Sequence, residues 1–360
     1  GQSRCFAFGI GNEVWGGGGQ MSPEYYGSLC RQAAHFLSTV LGTGISADIN
    51  GAQKEKTLMI ASGPNADDYD FTARLMKALT EKTFMLNAQS GQFIVDGISL
   101  HYYSYPVPMN SESSFAGLKT ADDFDETDWY CLLSSGARIE ELISRHDCIM
   151  SQYDPGKKIG LMVDEWGAWY KTEPGTNPAH LYQQNTLRDA ILSLNIFNKH
   201  SDRVHLTTIA QMVNVLQSII LTEGEKMVLT PTYHVYDLFQ GHQDATLLGS
   251  YMQKKKIGAG GYEIDDIYES SSVDSEGNIL CTLCNTSMHE ARSVDATIFG
   301  GFVCSAQADI LYGEPHAKNT FDIPDNVTIR PWQTDLTQEG FRVELPPASV
   351  VRVRIRMQTN

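Results

Sequence analysis

The chain has 360 residues, of which 42% are hydrophobic and 19% charged. That is enough apolar material for a large core and two domains, and it excludes a disordered polar chain. A formal net charge of −16 argues against a general nucleic-acid or anionic-membrane partner.

Residues 5–10 (CFAFGI) read as a strand, followed at once by Asn12-Glu13 and the run Gly16 to Gly19. Ser22-Pro23-Glu24 then supplies an N-cap, a proline for the first helical position and an early acid. Leu29, Ala33, Phe36, Leu37 and Val40 follow at helical spacing. Residues 57–62 predict the next strand, 70–83 a helix, 94–103 a third strand, 128–152 one long helix and 158–166 a fourth strand. A helix is expected over 180–199, with Leu187, Ala190, Ile191 and Leu194 on one face, and a fifth strand near 204–213. Connections this long predict parallel strands covered by helices. The segment 104–127, rich in Ser, Asp, Pro and aromatics, reads as a functional loop or an insertion. After about residue 244 the texture changes to short alternating runs such as NILCTLCNTS and RSVDATIF, which predict an antiparallel β-sandwich over 244–360.

Two carboxylates stand out. In parallel α/β folds functional groups gather at the C-terminal ends of strands. Glu13 lies just past one such end and Glu165, in LMVDEWGAW, at another. Side chains alternate along a strand, so Glu165 shares a face with Leu161 and Val163. Asp164 is expected to make a structural bond behind it. A pair of carboxylates is what glycoside hydrolysis needs, one to protonate the leaving oxygen and one to stay ionised. Trp15, Tyr102, Tyr103, Trp166 and Trp169 cluster at the same ends and suit the apolar faces of sugars, while Asn12 and Gln211 could bond hydroxyls. Each residue taken alone has a plainer reading: a capping Glu, a core Trp, a satisfied core histidine for His101. Gly16 to Gly19 form no phosphate loop, because no Gly-Lys-Ser/Thr follows, and Gly9-Ile-Gly11 lacks the third glycine of a dinucleotide fingerprint.

The seven cysteines are scattered, unlike a disulfide framework, and Cys281-Thr-Leu-Cys284 has neither a second pair nor nearby histidines to complete a zinc site. The sequons at Asn285 and Asn326 are short matches expected by chance. No signal peptide opens the sequence and no run is long enough to span a membrane, so the expected compartment is the cytoplasm.

The segments GIGNEVWGGGGQMSPEYY, DGISLHYY, LMVDEWGAWY, LYQQNTLRDAILSLNIFNKH and IAQMVNVLQSIILTEGEKMVLTPTYHVYDLF resemble glycoside hydrolase family 51, the α-L-arabinofuranosidases. The resemblance implies a (β/α)8 barrel with a jelly-roll-like β-sandwich, and release of terminal α-L-arabinofuranosyl groups from plant polysaccharides or oligosaccharides with retention, without metal or organic cofactor. By motif, Glu13 resembles the acid/base and Glu165 the nucleophile. Asn12, Tyr103, Gln211 and Trp169 resemble sugar-binding residues, and His101 and Trp15 lie in the same motifs. In that family the Asn-Glu pair ends the fourth barrel strand. Residues 1–243 therefore correspond to five βα units of eight, and the chain alone is expected to be poorly stable, to be a truncated product, or to be completed by an N-terminal barrel fragment on a second polypeptide or by a homo-oligomer. A catalytically silent chain that binds arabinose-containing glycans is the rival expectation.

Overall fold

The computed structural model describes residues 7–40, 57–81, 93–106, 118–175 and 194–358. The chain divides into two compact units. One comprises Gly1–Tyr102, Glu140–Glu165 and Asp202–Thr208; the other comprises Tyr103–Ile139, Trp166–Ser201 and Ile209–Asn360.

The first unit is built on a parallel sheet: β1 (Ala7–Ile10), β2 (Leu58–Ala61), β3 (Gly97–Ser104), β4 (Gly160–Ala168) and β5 (Val204–Thr207), hydrogen-bonded in that order. β1 and β2 run in register from Ala7↔Leu58 to Ile10↔Ala61. The middle strands are buried almost throughout, with Ile98, Leu100, Leu161 and Val163 at zero exposure, as a sheet covered on both faces requires. All five expected strands are present, but β5 stops at Thr207 rather than near 213.

Helix α1 (Pro23–Val40) begins as expected, with Ser22 Oγ accepting from the Tyr25 amide at 3.3 Å. Its buried row, however, is Tyr26, Cys30 and Ala34, while Leu29, Phe36 and Val40 are 38%, 73% and 69% exposed. The reason is close packing on α2 (Tyr69–Thr80). A Cβ on Gly27 would lie 2.8 Å from the Ala78 Cβ, so the face bearing small residues is the one that can approach. Periodicity marks a helix, but it does not say which of two apolar rows meets the core. Helix α2 is capped by Asp68, whose carboxylate accepts from the Phe71 amide at 3.0 Å, and it buries Phe71, Leu75, Met76 and Leu79.

The single helix expected over 128–152 is two, α3 (Glu126–Ala137) and α4 (Ile139–Tyr153). The Arg138 amide bonds the Ser135 carbonyl, three residues back, which tightens and ends the turn beside Gly136. Asp125 and Asp128 close a reciprocal capping box at the start of α3.

One buried cation locks α4 to the start of β5. Arg203 is fully buried, and its five N–H bonds are all used. They go to Asp147 Oδ1 (2.6 Å), Asp154 Oδ2 (3.1 Å), the Ile159 carbonyl (2.8 Å), Ser151 Oγ (3.0 Å) and the Asp154 carbonyl (3.1 Å). Removing one partner of a buried ion pair leaves the other charged and unsolvated. Arg203→Met is therefore expected to lose about 3–5 kcal/mol of stability in urea titration, while Lys226→Met, at a surface pair 4.0 Å from Asp322, is expected to lose less than about 1 kcal/mol.

The second unit holds α3, the short α5 (Leu194–Lys199) and α6 (Pro231–Phe239). Leu187, Ala190 and Ile191 of the expected 180–199 helix lie outside the described residues, as does 107–117 of the expected loop. A hairpin not foreseen from the sequence, β6 (Ile220–Glu223) and β7 (Lys226–Leu229), turns at Gly224 with φ +57°.

After α6 and a 3₁₀ turn over Gln240–His242, the regular structure among the described residues is antiparallel strand. The strands are β8 (Thr246–Leu247), β9 (Lys256–Ala259), β10 (Tyr262–Asp265), β11 (Ile267–Val273), β12 (Ile279–Asn285), β13 (Arg292–Thr297), β14 (Val303–Tyr312), β15 (Arg330–Trp332), β16 (Thr334–Leu336), β17 (Gly340–Leu345) and β18 (Ser349–Met357). They form a six-stranded sheet ordered β15-β14-β18-β12-β11-β8 and a three-stranded one ordered β13-β17-β16. A β9–β10 hairpin completes the set. One apolar cluster draws on both larger sheets, with Leu283, Ile310, Val351 and Val353 from the first and Val294, Phe341 and Val343 from the second.

Cys281 belongs to that cluster, whereas Cys284 accepts from Asn195 Nδ2 at 3.2 Å. Burial pushes both thiols up to about 12. Their placement on opposite faces of β12 prevents them from clasping one ion. Among the described residues no helix is long and apolar enough to cross a membrane.

Candidate active site

Three strands of the first unit each deliver part of one cluster. β1 ends at Ile10 and the chain leaves the sheet through Gly11 (φ +95°) into a turn on which Glu13 also adopts a left-handed conformation (φ +43°). The glycine run explains how a carboxylate can be held there. The amides of Gly16 and Gly18 both donate to the Glu13 carbonyl, at 2.8 and 3.0 Å, so the chain wraps over it. A Cβ on Gly18 would lie 1.7 Å from the Asn12 carbonyl oxygen, and only glycine fits.

From β3 comes His101, 3% exposed. From β4 come Asp164 and Glu165. Nδ1 of His101 donates to Glu13 Oε1 at 2.9 Å and lies 3.6 Å from Glu165 Oε2. Nε2 lies 3.3 Å from Asp164 Oδ1, off the line of a good hydrogen bond. Asp164 thus stands on the far side of the ring from Glu13 and Glu165, and neighbours that should face apart meet one imidazole from its two nitrogens.

Burial disfavours the charged ring, but Asp164 and Glu13 beside it, reinforced by the charge of Glu165, outweigh that cost and raise its pKa to about 9. His101 is therefore an imidazolium at neutral pH. A group whose pKa rises from 6.5 to about 9 on folding adds stability that is fully present below about pH 6.5 and is lost as pH rises through 9. The shift corresponds to up to about 3 kcal/mol. Urea unfolding at pH 6 and pH 10 is expected to show that loss, and His101→Gln to remove the part of it that this ring supplies.

Glu13, His101 and Glu165 each offer one ligand-type atom, all within 4.8 Å of one another. A metal ion bound there would have to displace the ring proton of His101.

The remaining sequence candidates divide between the units. Asn12, exposed, and Trp15, half-buried, share the Glu13 turn. Tyr103, Trp169 and Gln211 belong to the second unit. There the ring of Tyr103 meets Trp169 edge-on at 4.8 Å and 87°, and Tyr105 lies 6.2 Å from the same indole. The Trp169 amide donates to the Ser104 carbonyl at 2.9 Å. Gln211 is exposed and follows a cis Ala210–Gln211 bond. Tyr102 and Trp166, grouped with the sugar-facing aromatics in the sequence, are each only 7% exposed, and Trp166 packs edge-on against Phe197 at 5.1 Å.

Two groups went unnoticed in the sequence. Ser62 directly follows β2 and bonds the Val14 amide of the Glu13 turn, and its position just past a strand end was the available signal. Gln217, 1% exposed, accepts from the Ala168 amide at 2.5 Å and donates to Thr232 Oγ1 at 3.2 Å. It sits in an irregular stretch with no periodicity to announce it.

The pattern of the α-L-arabinofuranosidase C-terminal domain matches residues 164–349. An intracellular exo-α-L-arabinofuranosidase of Bacteroides ovatus is 35% identical over 354 residues, covering 97% of this chain and 63% of that protein. An exo-α-(1→6)-L-arabinofuranosidase of Bifidobacterium longum is 26% identical, covering 96% of this chain and 65% of its own length. The crystal structure of the family 51 arabinofuranosidase from Xanthomonas axonopodis pv. citri superposes with a TM-score of 0.84 at 35% identity, covering 97% of this chain and 66% of that one. The chain thus spans just under two thirds of the length of these relatives. On the domain match, the sequence identity and the shared fold, it belongs to glycoside hydrolase family 51, the α-L-arabinofuranosidases.

Proposed function

We propose that this chain carries the two catalytic carboxylates of a retaining exo-α-L-arabinofuranosidase. The observation that supports it most is the approach of Glu13 and Glu165, with His101, to within 4.8 Å. Carboxylates that attack the sugar directly stand about 5–5.5 Å apart, whereas those that leave room for a water stand about 6.5–9.5 Å apart.

In the first step the Glu165 carboxylate bonds to the anomeric carbon as the glycosidic C–O bond breaks. Glu13, in its protonated form at this step, gives that proton to the departing oxygen. In the second step Glu13 takes a proton from water, the water oxygen bonds to the anomeric carbon, and the ester to Glu165 breaks to release arabinose. His101, charged and in contact with both carboxylates, holds them on the same side of the sheet. Asn12, Trp15, Tyr103, Trp169 and Gln211 are assigned to sugar binding, and neither metal nor organic cofactor takes part.

In this reading residues 1–243 are five βα units of a (β/α)8 barrel and 244–360 a jelly-roll-like β-sandwich. The substrates are arabinose-containing polysaccharides or oligosaccharides, and the compartment is the cytoplasm, in line with the naming of the Bacteroides ovatus relative as intracellular. The remaining βα units of the barrel are assigned to the outer edge of β1. That strand ends the sheet among the described residues, and its Phe8 is 39% exposed.

Hydrolysis of 4-nitrophenyl α-L-arabinofuranoside, followed by NMR of the first product anomer, tests the reading. Release of the α-anomer supports it, and release of the β-anomer or of a different pentose from a matched substrate panel contradicts it.

A further inference from the structure

The turn that presents Glu13 is strained and must be held from outside. Both Gly11 and Glu13 take left-handed conformations, which for the glutamate costs about 1 kcal/mol. The support comes from α1. Tyr26, 3% exposed, donates its hydroxyl to the Ile10 carbonyl and accepts from the Ser62 amide at 2.6 Å.

Ile10 and Ala61 are the last paired residues of β1 and β2. In a parallel ladder the next direct bond would join the Ile10 carbonyl to the Ser62 amide, and the phenol occupies that position. The strand ends are thereby kept apart at the point where the chain turns out of the sheet. Ser62 Oγ then accepts from the Val14 amide at 3.4 Å, so both flanks of the Asn12–Glu13 turn are tied to one residue. Burial, with Cys30 alongside, pushes the phenol far above its ordinary range, and it remains a donor to Ile10 at any working pH.

We propose that Tyr26 is a positioning residue for Glu13, its hydroxyl spacing the ends of β1 and β2 so that the turn carries Glu13 to His101. Its kinetic consequence rests on the acid/base reading of Glu13; its structural consequence does not. Without the oxygen, the Ile10 carbonyl and the Ser62 amide can bond directly, the gap closes, and Glu13 is drawn off His101.

The test is Tyr26→Phe in the whole protein, read in two ways. The first is the NMR titration of His101, which faces Glu13 and Glu165 at Nδ1 and Asp164 at Nε2. Loss of the Glu13 contact is expected to lower its midpoint from about 9 by roughly half a unit or more, in the direction of the Glu13→Gln control. The second is kcat/KM on a phenyl and a 4-nitrophenyl α-L-arabinofuranoside. The expected loss is about tenfold or more on the phenyl substrate and clearly smaller on the activated one, with KM little changed.

An unshifted His101 titration in Tyr26→Phe, where Glu13→Gln does shift it, overturns the proposal, as does an equal loss on both substrates. If Glu13→Gln itself fails to separate the two substrates while His101 still shifts in Tyr26→Phe, the acid/base reading fails and the positioning role stands. Should Tyr26→Phe not fold in dilute buffer, the same variant is read by the same titration in the presence of a stabilising excluded osmolyte. A downward shift there supports the brace, and no shift contradicts it.

Discussion

Replacing Glu165 with alanine is expected to lower kcat on every α-L-arabinofuranoside by about 10⁴-fold or more, whatever the leaving group. The proposed reaction passes through a bond between this carboxylate and the anomeric carbon, and losses of this scale follow when a nucleophile is deleted. Its surroundings make alanine a clean probe. Glu165 is 28% exposed by side chain and meets His101 at the longer of the two Nδ1 contacts, 3.6 Å against 2.9 Å for Glu13. His101 keeps two carboxylates in the variant, so its charge stays compensated and the chain is expected to fold. Parallel measurement of kcat on phenyl and 4-nitrophenyl substrates checks the effect, and a near-normal rate on either would remove Glu165 from the nucleophile's place.

Glu13→Ala is expected to act selectively. Loss of a general acid costs about 10²–10⁴-fold where the leaving oxygen needs a proton, and far less where it departs as a stable phenolate. The phenyl arabinoside and natural oligosaccharides should suffer the large loss, and the 4-nitrophenyl compound a small one in the first step. The second step, in which Glu13 deprotonates water, then becomes slow, so a pre-steady-state burst of 4-nitrophenolate should appear that the parent protein lacks. Equal losses on both substrates, without a burst, would leave Glu13 as a structural anion for His101.

Much of the first unit was legible because its strands are short apolar runs separated by helices with clear starts. CFAFGI, TLMIAS and KIGLMVDEW carry their strand character in composition alone, and Ser22-Pro23 announces α1. What could not be read depends on partners distant in sequence. Nothing in α1 itself says that Tyr26, Cys30 and Ala34 rather than Leu29, Phe36 and Val40 face inward, because that is settled by the fit of Gly27 against Ala78. The break at Arg138 hinges on one amide choosing a carbonyl three residues back.

The candidate site shows the same division. Glu13 and Glu165 were each marked by a strand end, and His101 by the His-Tyr-Tyr segment in which it stands. That one imidazole joins the two glutamates, with Asp164 behind it, is a matter of spacing between β3 and β4 and the turn after β1. The glycine run posed the hardest question in the sequence. Its answer, a turn wrapped over the Glu13 carbonyl with no room for a Cβ at Gly18, needed coordinates.

In the proposed reaction Glu165 forms a covalent bond to the sugar while Glu13 serves the leaving group. Its most direct test is intact-mass and peptide analysis of Glu13→Ala quenched during turnover of 4-nitrophenyl α-L-arabinofuranoside. The expected species is a protein heavier by one pentosyl unit, with the label on the peptide containing Glu165. A label on any other residue, or a burst of 4-nitrophenolate with no covalent adduct, would contradict it.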